Sequence, residues 1–78
     1  MEYRTRNLFL AVFILARGAE IPEIRGEEGR AEFVFSDPEQ RLGWEIMEFQ
    51  ADAPVPVQQF VWAFRELKAQ MKQAFNSR

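Results

Sequence analysis

The 78-residue sequence contains neither cysteine nor histidine. The absence of cysteine excludes disulfide bonds and thiolate metal sites, and it agrees with a cytoplasmic protein. Without either residue, the usual general bases and nucleophiles are missing, so we expect no enzymatic activity. The four glycines are scattered and form no phosphate-binding loop. We therefore expect no catalytic residue, no cofactor, no metal ion and no small-molecule substrate.

Carboxylates cluster in the first half of the chain, at Glu20, Glu23, Glu27 and Glu28. A hard cation could bind such a cluster, but the spacing does not resemble an EF-hand loop. We interpret these residues as a solvated acidic face.

Charge is distributed unevenly, although the net charge is only −2. Residues 1–18 carry three cations and one anion (+2), residues 19–52 three cations and ten anions (−7), and residues 53–78 four cations and one anion (+3). The chain is therefore acidic in the middle and basic at both ends.

Nine consecutive apolar residues, 8–16, form the longest hydrophobic run. A transmembrane helix needs about 20 such residues, so we predict no membrane span. A secretory signal peptide would suit Arg4, Arg6 and the length of the run, but Arg17 stands unfavourably beside the cleavage site. We prefer a buried helix of about 13 residues that Thr5 or Asn7 caps and that Gly18 ends.

The remaining pattern predicts a single small α+β domain over residues 1–78, with element order α-β-β-α-α. A strand at 19–25, interrupted by Pro22, and a strand at 30–35 form a β-hairpin around a turn at 26–29. Asp37 caps a helix that begins at Pro38. In that helix, Leu42, Ile46 and Phe49 form a buried stripe, and Gly43 either destabilises it or permits a close helix approach.

The last helix is the longest, opening at Pro56 and ending near residue 75 or 76. Its predicted buried face has a 3.6-residue period and comprises Val57, Phe60, Phe64, Leu67, Met71 and Ala74. The hairpin is expected to pack against the central apolar helix and this long helix.

Three large side chains, Trp44, Met47 and Trp62, fall outside these buried stripes. They either cover the central helix from other directions or form a surface for self-association or for a protein partner. An all-round apolar helix needs more cover than one hairpin and one helix provide, so we favour a homo-oligomeric, non-catalytic interaction module, with a dimer as the first expectation. Full burial of Phe9 and its neighbours Val12 and Phe13 by one chain would remove the main support for this oligomer.

A nucleic-acid-binding module is the alternative. A basic N-terminal arm and a basic stripe on the last helix, next to Trp62, supply its candidate contacts, Tyr3, Arg4, Arg6, Arg65, Lys68 and Lys72. A sequence pI of about 5.1 argues against strong phosphate affinity.

The order of these features resembles a small domain-of-unknown-function family of phages, bacteria and archaea. The resemblance covers nearly the whole chain and depends on residues 3–8 and Gly18, on 30–35 running into Asp37 and Pro38, and on 55–68. The sequence departs from the family at Asn7, where the family tends to have Asp, and at Trp62, where a smaller residue is usual. The resemblance implies a compact α+β domain, often in phage or mobile-element contexts, and implies no catalytic residues.

Overall fold

Six elements follow one another in the computed structural model, which describes residues 2–37 and 42–76. They are β1 (Glu2–Thr5), α1 (Leu8–Ala16), β2 (Glu23–Glu27), β3 (Arg30–Ser36), α2 (Leu42–Gln50) and α3 (Val57–Asn76). The α+β class, the hairpin and the long final helix are confirmed. The predicted five-element series is present, and β1 precedes it.

The three strands form one antiparallel sheet in the order β1-β3-β2. Thr5 pairs with Phe33 in β1–β3, and Ile24 pairs with the same Phe33 in β2–β3. The chain thus crosses from one edge of the sheet to the other through α1 and then returns along the middle strand. The predicted N-terminal arm is therefore an edge strand, and α1 is shorter than the 13 residues expected.

Local capping explains the bounds of α1. The Asn7 side chain accepts a hydrogen bond from the backbone N–H of Leu10 at 3.2 Å, which confirms it as the N-cap. Gly18 follows the helix with φ +106°, and the backbone N–H of Ala19 donates to Ile14 O at 3.4 Å. Together with the bond from Gly18 N–H to Leu15 O, this pattern is a Schellman motif, which satisfies carbonyls that the helix end leaves free.

The hairpin is tighter than predicted. Strand β2 begins only after Pro22, which has no N–H to donate, and the turn narrows to residues 28–29 because Glu27 pairs with Arg30. Gly26 has φ +90° within β2, and a Cβ atom there would lie 2.5 Å from the Arg30 carbonyl oxygen. A glycine is thus required at this point of the ladder.

The core is built around α1, which is buried from Leu10 to Leu15. The inward residues of β3, above all Phe33 and Phe35, pack against it from the sheet. Leu67 and Ala63 of α3 pack from another side. The helix α2 covers a third side, where Leu42 is buried and Ile46 and Phe49 are partly buried, as predicted.

The start of α2 agrees in part with the prediction from sequence. The Asp37 carboxylate accepts a hydrogen bond from the backbone N–H of Leu42 at 3.3 Å, and the rest of the predicted capping sequence, 38–40, lies outside the described residues. A Cβ atom at Gly43 would meet nothing within 4 Å, so this glycine serves no close helix approach.

Candidate interaction surfaces

The apolar run 8–16 is largely covered by other parts of the same chain. Val12 and Phe13 are buried, whereas Phe9 is 56% exposed and stacks on Phe64 of α3 with ring centroids 6.5 Å apart. The condition that would remove the main argument from sequence for an oligomer is therefore met at Val12 and Phe13 and not at Phe9. The part of the run that remains exposed lies beside α3.

The first two turns of α3 present large apolar side chains to solvent. Val57 is 76% and Trp62 52% exposed, and Val61 is also exposed. The prediction that Val57 belongs to the buried face is wrong, because the buried residues of α3 begin only at Ala63 and the first turn extends beyond them. Val57, Val61 and Phe64 follow the i, i+4, i+7 spacing and form one line along the helix.

A shallow depression joins Trp62 to this line. Its volume is about 300 Å³, and Val57, Gln58, Val61, Trp62 and Arg65 line it. We define the apolar patch as Val57, Val61 and Trp62, which line this depression together. Phe9, which stacks on Phe64, does not line it.

The other two residues of the predicted partner surface lie on α2. Trp44 and Met47 are both strongly exposed, three residues apart on the helix. Neither lines the depression at Trp62, so the structure does not bring the three predicted residues into one depression. Sequence reasoning assigned Phe9 to the buried helix and Val57 to a buried helix face, and it made no assignment for Val61.

The predicted basic arm divides between two faces of the sheet. Arg4 lies on the face turned away from α1, where its guanidinium is 3.3 Å from Glu2 and 4.0 Å from Glu32. Tyr3 is half-buried and packs against the core, so its ring is not free to stack on a base. Both residues are therefore poor candidates for nucleic-acid contacts.

The outward face of the sheet is a network of ion pairs. Arg25 contacts the Glu23 carboxylate at 2.9 Å and that of Glu2 at 3.8 Å. The hydrogen bond and the charge of Arg25 lower the pKa of Glu23 below its ordinary value. Glu23 of the predicted acidic cluster is thus paired with an arginine. Over residues 2–37 and 42–76, no group of three acidic side chains is placed to hold a metal ion.

Arg6 lies at a different place from Arg4. It lines an open depression of about 510 Å³ with Arg30, Gly29 and Met71. A second depression, of about 530 Å³, is lined by Lys68 and Lys72 and again by Gly29 and Met71. The two depressions therefore adjoin, and we call them together the basic groove.

The exposed side of α3 thus changes from apolar to basic along the helix. Its first two turns carry Val57, Val61 and Trp62, Arg65 follows at the rim of the apolar depression, and Lys68 and Lys72 flank the basic groove. Of the six predicted nucleic-acid contacts, Arg6, Lys68 and Lys72 come together, and Tyr3, Arg4 and Arg65 do not join them.

Comparison with protein-family models, curated proteins and solved structures finds no match to this chain. The resemblance to a phage, bacterial and archaeal family therefore stays a prediction. Among the helices of the described residues, none is both long and apolar enough to cross a bilayer.

Proposed function

We propose that this chain is a non-catalytic interaction module that self-associates as a dimer through the apolar patch. The observation that carries the proposal is the exposure of Val57, Val61 and Trp62, which line one depression on α3 in a domain whose central helix is covered except at Phe9. Contiguous apolar surface rimmed by polar residues is typical of interaction sites.

The area of the patch suits a dimer. Aromatic side chains bury about 150–250 Å² each, so the exposed half of Trp62 with the two valines supplies roughly 300 Å² of apolar surface. A standard interface buries about 800 Å² per partner, of which about 57% is apolar. The patch thus supplies about two thirds of the apolar area that one side of such an interface needs.

Charge placement favours a second copy in which the two α3 helices cross antiparallel. At 1.5 Å per residue, Lys72 lies about 16 Å along the helix from Val61. In an antiparallel pair that crosses at Val61, the two Lys72 residues point to opposite ends, more than 30 Å apart, and Arg65 faces the Val57 end of the partner helix. The basic residues therefore do not oppose closure of the patch.

Sedimentation velocity over roughly 1–100 μM tests the proposal, because this range covers the weak end of the micromolar-to-picomolar affinities of interfaces of this size. We expect the wild-type mass to rise from monomer to dimer. Trp62→Ala removes a central aromatic from both sides of the interface at about 2 kcal/mol each, which corresponds to a loss of about 1,000-fold in affinity.

Trp44→Ala is the matched control, since it removes a tryptophan on α2 that is more exposed than Trp62 and leaves the patch intact. The control variant should dimerise like the wild type. A wild-type protein that stays monomeric throughout would refute self-association. Dissociation by Trp44→Ala but not by Trp62→Ala would move the interface to α2.

The proposal includes the cytoplasm as the compartment, which the lack of cysteine supports. A phage or mobile-element accessory role is part of the proposal on the resemblance alone.

A further inference from the structure

Seven of the eight cations that the structure describes fall into two groups, and Arg65 belongs to neither. Within residues 2–37 and 42–76, Arg4, Arg17 and Arg25 form ion pairs with carboxylates. No ion pair between described residues involves the cations that line the basic groove, Arg6, Arg30, Lys68 and Lys72. None of the carboxylates in these ion pairs lines the groove, whose described lining holds four cations and one carboxylate.

The groove is shaped for an extended anion rather than for a single small one. Its two depressions meet at Gly29 and Met71, with Arg6 and Arg30 on one side and Lys68 and Lys72 on the other. Gly29 has no side chain and has φ +85° in the hairpin turn, so the backbone leaves the passage between the depressions open. A chain of regularly spaced charges can therefore contact cations on both sides at once.

We propose that the basic groove binds the phosphodiester backbone of a nucleic acid. Guanidinium groups hold phosphate oxygens in bidentate fashion, and ammonium groups act as point charges. Such contacts carry no sequence information, so binding is independent of sequence. The interaction is distinct from dimerisation, because none of the four cations belongs to the apolar patch.

One carboxylate opposes this binding. Glu28 lines the second depression beside Lys68 and Lys72. The Lys68 ammonium also lies 5.9 Å from the centroid of the Phe64 ring. This cation–π contact competes with the binding of a phosphate by Lys68. Together with the net charge of −2, these features predict weak binding that salt easily abolishes.

Fluorescence anisotropy with a short labelled DNA duplex tests the proposal at about 50 mM salt. Four phosphate contacts predict a slope of about −3.6 for the logarithm of the binding constant against that of salt concentration. Raising salt from about 50 to 200 mM should thus weaken binding on the order of 100-fold. The double variant Arg6→Gln/Lys72→Gln should reduce the magnitude of the slope by about 2.

The matched control is Arg4→Gln, which removes the same charge from the opposite face of the sheet. It should leave DNA affinity within about twofold, whereas Arg6→Gln and Lys72→Gln should each weaken binding by about fivefold or more. Glu28→Gln should strengthen binding, because it removes the only carboxylate among the described residues that line the groove. Trp62→Ala should leave DNA affinity unchanged.

Three results would overturn the proposal. The first is no change in anisotropy at about 50 mM salt. The second is equal weakening by Arg4→Gln and Arg6→Gln, which would show attraction to overall charge rather than to the groove. The third is tighter binding of polyglutamate than of DNA, which would assign the groove to an acidic protein partner.

Discussion

Arg17 joins the end of α1 to α2, and its replacement is the most informative perturbation of the fold. Its Nε atom lies 3.4 Å from Glu45 Oε2, its terminal nitrogen contacts Glu48 Oε2, and its guanidinium carbon lies 5.5 Å from the centre of the Phe13 ring. Glu45 Oε2 is buried and accepts no hydrogen bond from the described residues. Arg17 is therefore the cation that compensates this buried oxygen.

The loss of stability that we expect from Arg17→Met follows from the partial burial of the Arg17–Glu45 ion pair. The side chains of Arg17 and Glu45 are 31% and 23% exposed, between the surface limit of about 0–1 kcal/mol and the buried limit of about 3–5 kcal/mol. Arg17→Met keeps most of the apolar stem over Phe13 and removes the charge. We expect a loss of about 2 kcal/mol in the free energy of unfolding, or a fall of about 10 °C in Tm for a domain of this size.

Urea unfolding followed by far-UV circular dichroism measures this loss as a lower midpoint with an unchanged m value. The matched control is Arg4→Met, whose side chain is 55% exposed and whose effect should stay within about 0.5 kcal/mol. Adding Glu45→Gln and Glu48→Gln to Arg17→Met should recover part of the loss, since no buried negative charge then remains. Equal effects of Arg17→Met and Arg4→Met, or no recovery in the triple variant, would show that Arg17 does not compensate a buried negative charge.

Two further predictions concern glycines and pH. Gly26→Ala should destabilise the protein by more than about 1 kcal/mol in urea unfolding, because its Cβ meets a carbonyl oxygen at positive φ, whereas the helical Gly43→Ala should stabilise it by about 0.5–1 kcal/mol. Similar effects of the two substitutions would contradict the hairpin geometry. Because Arg25 lowers the pKa of Glu23 in the folded state, the small stabilisation from this pair is present above the ordinary glutamate pKa and is lost as pH falls through the lowered value. NMR titration should show the Glu23 pKa returning toward its ordinary value in Arg25→Met, and an unchanged pKa would argue against the pair.

Features that depend on neighbouring residues were predictable from the sequence. Asn7 and Gly18 define the ends of α1 through bonds within a few residues, and the alternation in β3 identifies its buried face. β1 was not predicted, because its four residues are fixed by pairing with Phe33 and its neighbours, about 30 positions away.

The candidate surfaces were only partly predictable for the same reason. Arg4 and Arg6 look equivalent in an arm, but in the folded chain Arg4 sits on a strand that turns it to the outward face and Arg6 lies beyond that strand. Helical periodicity placed Val57 near the buried side of α3, but only the position of the other elements shows where cover of the helix begins.

The fluorescence of Trp62 reports most directly whether this residue lies at an interface between two copies. The variant Trp44→Phe leaves Trp62 as the only tryptophan. Diluting this variant from roughly 100 to 1 μM should shift the Trp62 emission to longer wavelength, because dissociation returns the indole to water. An emission spectrum that stays constant over this range, with the wavelength of an exposed indole, would contradict an interface at Trp62.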